Sequence, residues 1–446
     1  MFSGGTFVSA IFIHLSDIHF GQEKDGGALA TNTDAKDQLI KDAHAELKAR
    51  GAKASGIIVT GDIAYSAQEE QYAEAGAWLD KLAECVGCDD ESIQLVPGNH
   101  DINRDAITQA LGWKLQLIRE KGDLLLDAFL DDEQDREALF SRFEAYRNFA
   151  EGYGCDLDTR GEYSADYAVE LVPGRTLRFV RLNSALICSR KDNEGELILG
   201  ARQRIIPEVE GEEVVVLMHH PLHWFMDTTE ARQYIENRAR VVISGHEHYP
   251  SLTVMPVEGG SDLMLLAAGA TAPDDVGGKY TYKYNILEFD WDQKTDSLAV
   301  TINPRTWDGY RKRFSKDEEF LQGNEGPHIL AAPNFRKSAL PVLDDYQPDT
   351  SAAPKVNAIV NPVSGSGKAE IDIAARDRTL RLKFFRDLND AQRMKILVDM
   401  ANLPDDIHKL DHGLERAFFA RILKKGLGDE LANAIEDVLT NPEEHQ

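Results

Sequence analysis

Five short stretches of the chain carry side chains able to hold metal ions: "SDIH" at 16–19, "GD" at 61–62, "GNHD" at 98–101, "HH" at 219–220 and "GHEH" at 245–248. Asp17 and His19 stand one residue apart, as do His246 and His248. At the end of a strand, where alternate side chains share a face, each pair can aim at one point. The mix of imidazole, carboxylate and amide oxygen suits Mn, Fe, Zn or Co rather than Ca. Seven side chains (Asp17, His19, Asp62, Asn99, His219, His246 and His248) fit a centre of two divalent or trivalent cations. Such ions lie about 3.5–4 Å apart and need a shared ligand, which a carboxylate can be. Asp62 is the choice for that bridge. Two cations sharing a hydroxide lower the pKa of its parent water and neutralise phosphoryl oxygens, so in-line hydrolysis of a phosphate ester is the chemistry expected. His100 follows Asn99 directly and is placed to handle a proton near the centre, with Asp101 to orient it. His220 and His223, in "HHPLHW", are candidates to face substrate or to support the ligands.

These residues need rigid elements to bring them together. "AIFIHLSD", "SGIIVTGD", "SIQLVPGN", "LRFVRLNS", "EVVVLMHH", "ARVVISGH" and "LMLLAAGA" are short runs rich in Val, Ile and Leu, separated by helical patterns. That alternation predicts an α/β layered sheet, whose chemistry collects at the carboxyl ends of strands. Residues 105–152 read as a helical cap or insertion, and 280–314 alternate like antiparallel strands that complete a sheet. From 336 to 373 Pro, Ser, Gly and Ala dominate, which predicts a flexible linker. Beyond it, Phe385, Leu388, Met394, Leu397, Val398, Leu414, Phe418, Phe419 and Ile422 recur at helical spacing and predict a small all-α bundle over 374–446. Asn389 is placed to cap its second helix, and Gly426 and Gly428 to punctuate the last two. The expected organisation is therefore a catalytic domain at 1–335, the linker, and a helical interaction domain.

In this order the five blocks resemble those of the calcineurin-like metallophosphoesterases. The resemblance covers roughly residues 10–310 and implies a four-layer α-β-β-α sandwich. It also implies Asp17, His19 and His248 on one ion, and Asn99, His219 and His246 on the other. His100 would then act on the substrate or leaving group, and His219 rather than His220 would be the ligand of its pair. "GDIAYSA" and "GNHD" depart from the pattern of the Ser/Thr protein phosphatases. "LVPGNHD" and "LGARQRIIPEV" are similar to the bacterial branch that includes cyclic-nucleotide phosphodiesterases, so the substrate class implied is a small or nucleotide-type phosphodiester. Two alternatives stay open: a metal-dependent DNA nuclease of the repair-exonuclease type, and an inactive binding or scaffold protein. The bundle resembles the adaptor domains attached to effector enzymes in bacterial defence and signalling. That implies a protein partner, or oligomerisation.

Bulk properties bound these readings. With 49 basic and 76 acidic residues the formal charge is −27, which disfavours broad wrapping of a phosphate backbone. A local basic patch such as "PRTWDGYRKRF" near 304 could serve a DNA groove, although a solvated surface strand is the plainer reading. Four cysteines are too few for a disulfide scaffold, and the pair Cys85 and Cys88 lacks a second CxxC. "SGSGK" at 364–368 lacks the Gly and the Ser or Thr of a phosphate loop. The apolar run Phe7 to Leu15 is too short to span a bilayer and has no basic region before it. The expectation is a cytoplasmic protein without a membrane role.

Overall fold

Four of the apolar runs become strands buried along their whole length, as parallel strands covered on both faces must be. The structure, a computed structural model, describes residues 9–22, 29–257, 260–273, 280–339, 356–358, 376–401, 403, 410 and 412–440. "SGSGK" and most of the expected linker lie outside them. The chain divides into two compact units, 1–146 with 157–360, and 147–156 with 361–446.

The first unit holds two mixed seven-stranded sheets. In one, β1 (Ala10–Leu15), β2 (Gly56–Thr60) and β3 (Ile93–Val96) run parallel. In the other, β4 (Ser164–Val172) pairs antiparallel with β5 (Arg175–Arg181). Next come β6 (Glu212–Leu217) and β7 (Ala239–Ser244), parallel to β5, then β9 (Ser261–Ala267) and the antiparallel edge β8 (Ser251–Val257). The alternating stretch at 280–314 forms β10 (Lys283–Asp292), β11 (Ser297–Asp308) and β12 (Arg313–Lys316), which extend the first sheet from β1, and β13 (His328–Leu330) pairs with β11.

The sheets meet face to face. Phe12, Ile58 and Phe289 from one pack with Tyr167, Phe179, Val215 and Val241 from the other. The Phe12 ring lies 5.0 Å from that of Phe179 and 5.9 Å from that of Phe289. Burying each such ring stabilises by about 1.5–3 kcal/mol. Helices cover the outer faces: Leu29–Arg50 packs on β12 and on Glu69–Val86, and Thr228–Arg238 packs on β7. The architecture is thus the expected sandwich.

Three details differ from the sequence reading. Inside the segment expected as linker, β14 (Val356–Ala358) pairs antiparallel with β4, whose outer edge would otherwise be unpaired. The cap region is four helices, Gln109–Lys121, Asp123–Asp131, Glu133–Phe140 and Glu144–Gly152, but Arg147–Asp156 belongs to the second compact unit. Part of the basic stretch near 304 is already neutralised: Arg305 clamps Asp42 with two bonds of 2.8 Å and Arg311 pairs with Asp308, while Lys312 and Arg313 are exposed. Cys85 and Cys88 are free thiols at the end of the helix Glu69–Val86.

In the second unit Leu380, Phe384, Phe385, Leu397, Phe419, Ile422, Leu431 and Ile435 form the core. Asn389 caps the helix Asp390–Ala401 in a reciprocal box: its Oδ1 accepts from Gln392 N and its own N donates to Gln392 Oε1, both at 3.0 Å. The stripe of the helix His412–Lys424 is turned by one residue from expectation. Glu415 is buried against Arg393, whereas Leu414 is exposed. Among the described residues no helix is long and apolar enough to cross a membrane.

Candidate metal centre

All five blocks leave the carboxyl ends of the central parallel strands β1, β2, β3, β6 and β7 and converge. His219 Nε2 is 3.2 Å from Asp62 Oδ2, 3.2 Å from Asn99 Oδ1 and 3.2 Å from His246 Nδ1. On the other side of the same Asp62 oxygen lies His19 Nε2 at 3.5 Å, and His248 Nε2 is 3.2 Å from Asp17 Oδ1. Ligand atoms of Asp17, His19 and His248 form one cluster within 4.8 Å, and those of Asp17, Asp62 and His219 form another.

The backbone is bent to achieve this. Asp17, His19, Asp62, His246 and His248 all have positive φ, between 51° and 73°. Non-glycine residues adopt that region at a cost of order 1–3 kcal/mol each, and they cluster where function requires it. Two glycines permit the close approach. A Cβ on Gly98 would fall 2.1 Å from Asp62 Oδ1, and one on Gly245 would fall 1.9 Å from Ser16 Oγ and 3.0 Å from Asp17 Oδ2.

Carbonyl oxygens fix the imidazole tautomers, since a carbonyl only accepts. His219 Nδ1 donates to Thr60 O at 2.8 Å and His19 Nδ1 to Ala272 O at 3.2 Å, leaving both Nε2 atoms for the centre. Asp17 Oδ2 accepts from Ser16 Oγ at 2.6 Å and from His246 N at 3.1 Å, while its buried Oδ1 faces His248 Nε2 at 3.2 Å. This buried carboxylate oxygen, set among imidazole nitrogens, suits a borderline cation.

The charges are strongly interdependent. Burial opposes protonation of His219, but the Asp62 carboxylate outweighs it and lifts the imidazole to about 9. Burial, reinforced by the neighbouring His219, pushes His246 down to about 3. Burial would raise Asp62 and Asp17. The imidazoles of His219, His100 and His19 hold Asp62 well below the usual carboxylate range, and those of His248 and His219 hold Asp17 below it.

His100 is placed as expected beside Asn99, but Asp101 does not orient it. The His100 ring donates from Nδ1 to Tyr65 O at 2.7 Å, and its backbone N donates to Asp62 Oδ1 at 2.7 Å. Asp101 points the other way. It accepts from Ile63 N, Ala64 N, Gly98 N and Tyr72 Oη at 2.9–3.2 Å, so it ties the Asp62 loop to the Asn99 loop. Burial and the Asp62 carboxylate push its pKa up to about 6. His220 lies fully buried, with Nδ1 3.0 Å from Ser184 Oγ, and one of its ring nitrogens clusters with those of His219 and His246 within 4.8 Å. His223 is half exposed and pairs with Glu247 at 2.8 Å.

Ser184 and Trp224 were not singled out from the sequence. Ser184 Oγ accepts from the backbone N of both His219 and His220 at 3.1 Å, and the Trp224 ring lies 4.1 Å from that of His246. The indole at the end of "HHPLHW" was the available signal for Trp224; Ser184 had none.

Comparison with known proteins identifies the family. Residues 11–250 match the family described as calcineurin-like phosphoesterase, and residues 376–437 match the GTPase-associated adaptor domain. An uncharacterized metallophosphoesterase-like protein of Bacillus subtilis (strain 168), YydB, is 21% identical over 321 residues, which are 69% of this chain and 62% of that protein's length. Among solved structures, a conserved uncharacterized protein (predicted phosphoesterase) from Streptococcus pneumoniae TIGR4 is similar at 12% identity and a TM-score of 0.27, over 70% of this chain and 98% of that one. A metallophosphoesterase from Sphaerobacter thermophilus is similar at 12% identity and a TM-score of 0.25, over 66% of this chain and 88% of that one. The match at 11–250 takes in all five blocks and more than half of the residues: the chain belongs to the calcineurin-like phosphoesterase family and carries a GTPase-associated adaptor domain at its C-terminal end.

Proposed function

We propose that this protein is a phosphodiesterase with a two-metal centre, acting in the cytoplasm on a small or nucleotide-type phosphodiester. Asp62 Oδ2 carries the reading. It stands 3.5 Å from His19 Nε2 and 3.2 Å from His219 Nε2, between the two ligand sets, while Asp62 Oδ1 is occupied by the His100 N–H. Asp17, His19 and His248 would hold one ion and Asn99, His219 and His246 the other, with Mn, Fe or Zn suited to the donors. Two such cations supply an activated water and draw charge from the phosphoryl oxygens.

The chain's own groups do the rest. With Nδ1–H committed to Tyr65 O and burial lowering its pKa, the resting His100 ring is neutral and its Nε2 is an acceptor, so it would first take up the proton released by the attacking water and then pass it on. It is the candidate to protonate the leaving oxygen. Asp101 positions the loops that carry Asp62 and Asn99. The adaptor domain would recruit a protein partner in GTPase-linked signalling or defence, or oligomerise the enzyme.

The test is stoichiometry with turnover. Protein stripped by a chelator and titrated calorimetrically with Mn²⁺ takes up two ions per chain and hydrolyses bis(p-nitrophenyl) phosphate, and His219→Ala loses both one ion and activity. Uptake of no ion, or wild-type turnover by His219→Ala, refutes the proposal.

A further inference from the structure

The helix His412–Lys424 holds one carboxylate, Glu415, and turns it inward, in a chain that has 76 of them. Its open face carries Gly413, Leu414, Ala417, Ala420, Arg421 and Lys424, all exposed. A cavity of about 540 Å³ lies over four of these, Gly413, Ala417, Ala420 and Lys424, and is lined also by Arg381 and Arg416. The four recur at spacings of four, three and four residues, so they form one stripe, about 16 Å long, along the helix. Beside it Leu414 leaves nearly half of an apolar side chain in water, at 47% exposure.

The cations at the end of the stripe are open. Elsewhere in the unit Arg376 pairs with Asp429, Lys383 with Glu436 and Arg393 with Glu415. In the cavity wall Arg416 is held by Glu151 at 3.3 Å and by Asp156 at 2.7 Å. Arg421 and Lys424 form no ion pair among the described residues. Residues 376–440 hold 12 Lys or Arg and 12 Asp or Glu, so the excess of −27 lies wholly outside them. A neutral unit with open cations is where an acidic chain can accept further carboxylates, since charges farther than about 8 Å are screened at physiological salt. Small side chains let a second helix approach to the ~8–10 Å between packed helix axes. We infer that this face docks an acidic amphipathic helix of a partner protein, apolar along the stripe and rich in carboxylates where it meets Arg421 and Lys424. This rests on the recruitment reading of the adaptor domain above and names its surface and its partner's chemistry. A second copy meeting the same face would bring the same cations and no carboxylate to match them.

The probe is a phage-displayed library of helical peptides with randomised surface positions, selected at low salt against the full-length protein. Synthesised as free peptides, the enriched sequences are expected to be amphipathic with an excess of Asp and Glu, and to bind calorimetrically at one site per chain. Arg421→Glu combined with Lys424→Glu weakens their Kd by about ten-fold or more, as like charges set against one another should. Ala417→Trp fills the stripe and abolishes binding, whereas Ala417→Ser retains it. All of these positions are exposed, so the denaturant midpoint of the helical unit stays at the wild-type value. Enriched peptides without an acidic excess, or binding that survives both Ala417→Trp and the charge reversal, overturn the inference and leave recruitment to another surface. Dimers in sedimentation that Ala417→Trp dissociates overturn it in favour of a second copy. Enrichment of no peptide at all by a monomeric chain overturns the recruitment reading with it.

Discussion

The loops of the metal centre and the C-terminal helices obey opposite rules. In the helical unit local and global preferences agree: an apolar stripe is buried, Asn389 caps a helix, and Gly426 takes the left-handed turn at φ 75° that ends another. No non-glycine residue with positive φ occurs there among the described residues. At the centre, five such residues crowd together, and Asp17, Asp62 and His219 are buried with their charges facing one another. A structure that gathers five strained residues and several buried charges at one point, while the described residues of the helical unit show no such strain, is holding that point for a task. The surrounding sandwich supplies the stability that makes the distortion tolerable.

Removing the bridge gives the largest effect. Asp62→Asn keeps the size of the side chain and the acceptor for His100 N but removes the charge set between the two ligand clusters. Turnover of bis(p-nitrophenyl) phosphate is expected to fall by at least 10²–10³-fold, roughly the loss seen when one preorganised charge-stabilising group is removed. Thermal unfolding should show some loss of stability, because the imidazoles of His219, His100 and His19 hold the Asp62 carboxylate ionised and the variant leaves buried His219 without that counter-charge. A destabilised variant of undiminished activity would reverse the contrast between the regions.

Next comes the mirror-image change. Phe419 is 2% exposed, with its ring 5.1 Å from Phe384 and 5.2 Å from Phe385. Phe419→Ala should cost the helical unit about 3–5 kcal/mol, read as a lower denaturant midpoint for its transition. Hydrolysis of the small diester should survive. Loss of turnover in proportion to loss of stability would mean that the two regions do not divide function and packing as described.

The two regions were also legible in different ways. The ligands could be read because each is a polar residue at the end of an apolar strand, and five such ends in order leave little freedom. The helical core could be read from its period. Asp101 was misassigned because its nearest neighbour in sequence, His100, is not its partner in space; the loops fold so that its carboxylate meets Ile63 N, Ala64 N and Gly98 N instead. Leu414 was placed in the core because a stripe pattern cannot foresee that Arg393 will hold Glu415 inside. Nor could β14 be foreseen, since three residues pair only because an open edge, β4, awaits them. Pattern reveals what a residue's own stretch requires, and fails where the partner comes from elsewhere.

The smallest expected effect probes the one place where the helical unit resembles the centre. His412 is buried with its nitrogens 3.6 Å from Glu151 and 3.8 Å from Glu415, and burial, with the nearby Arg147, Arg416 and Arg393, pushes its pKa down from 6.5 to about 3. Below pH 6.5 the unfolded chain takes up a proton that the folded unit refuses. Stability from His412 is therefore fully present above pH 6.5 and is lost as pH falls towards 3, by at most ~1.4 kcal/mol per pH unit. Glu415 works the other way: burial raises its carboxyl, so its contribution grows as the medium is acidified. The difference between wild type and His412→Gln isolates the histidine. Between pH 7 and pH 5.5 wild type should lose on the order of 1 kcal/mol more than the variant, measured by denaturant unfolding of the helical unit. If both lose the same amount, the carboxylates accept the imidazolium in the folded unit, and buried charge is then tolerated there much as it is at the centre.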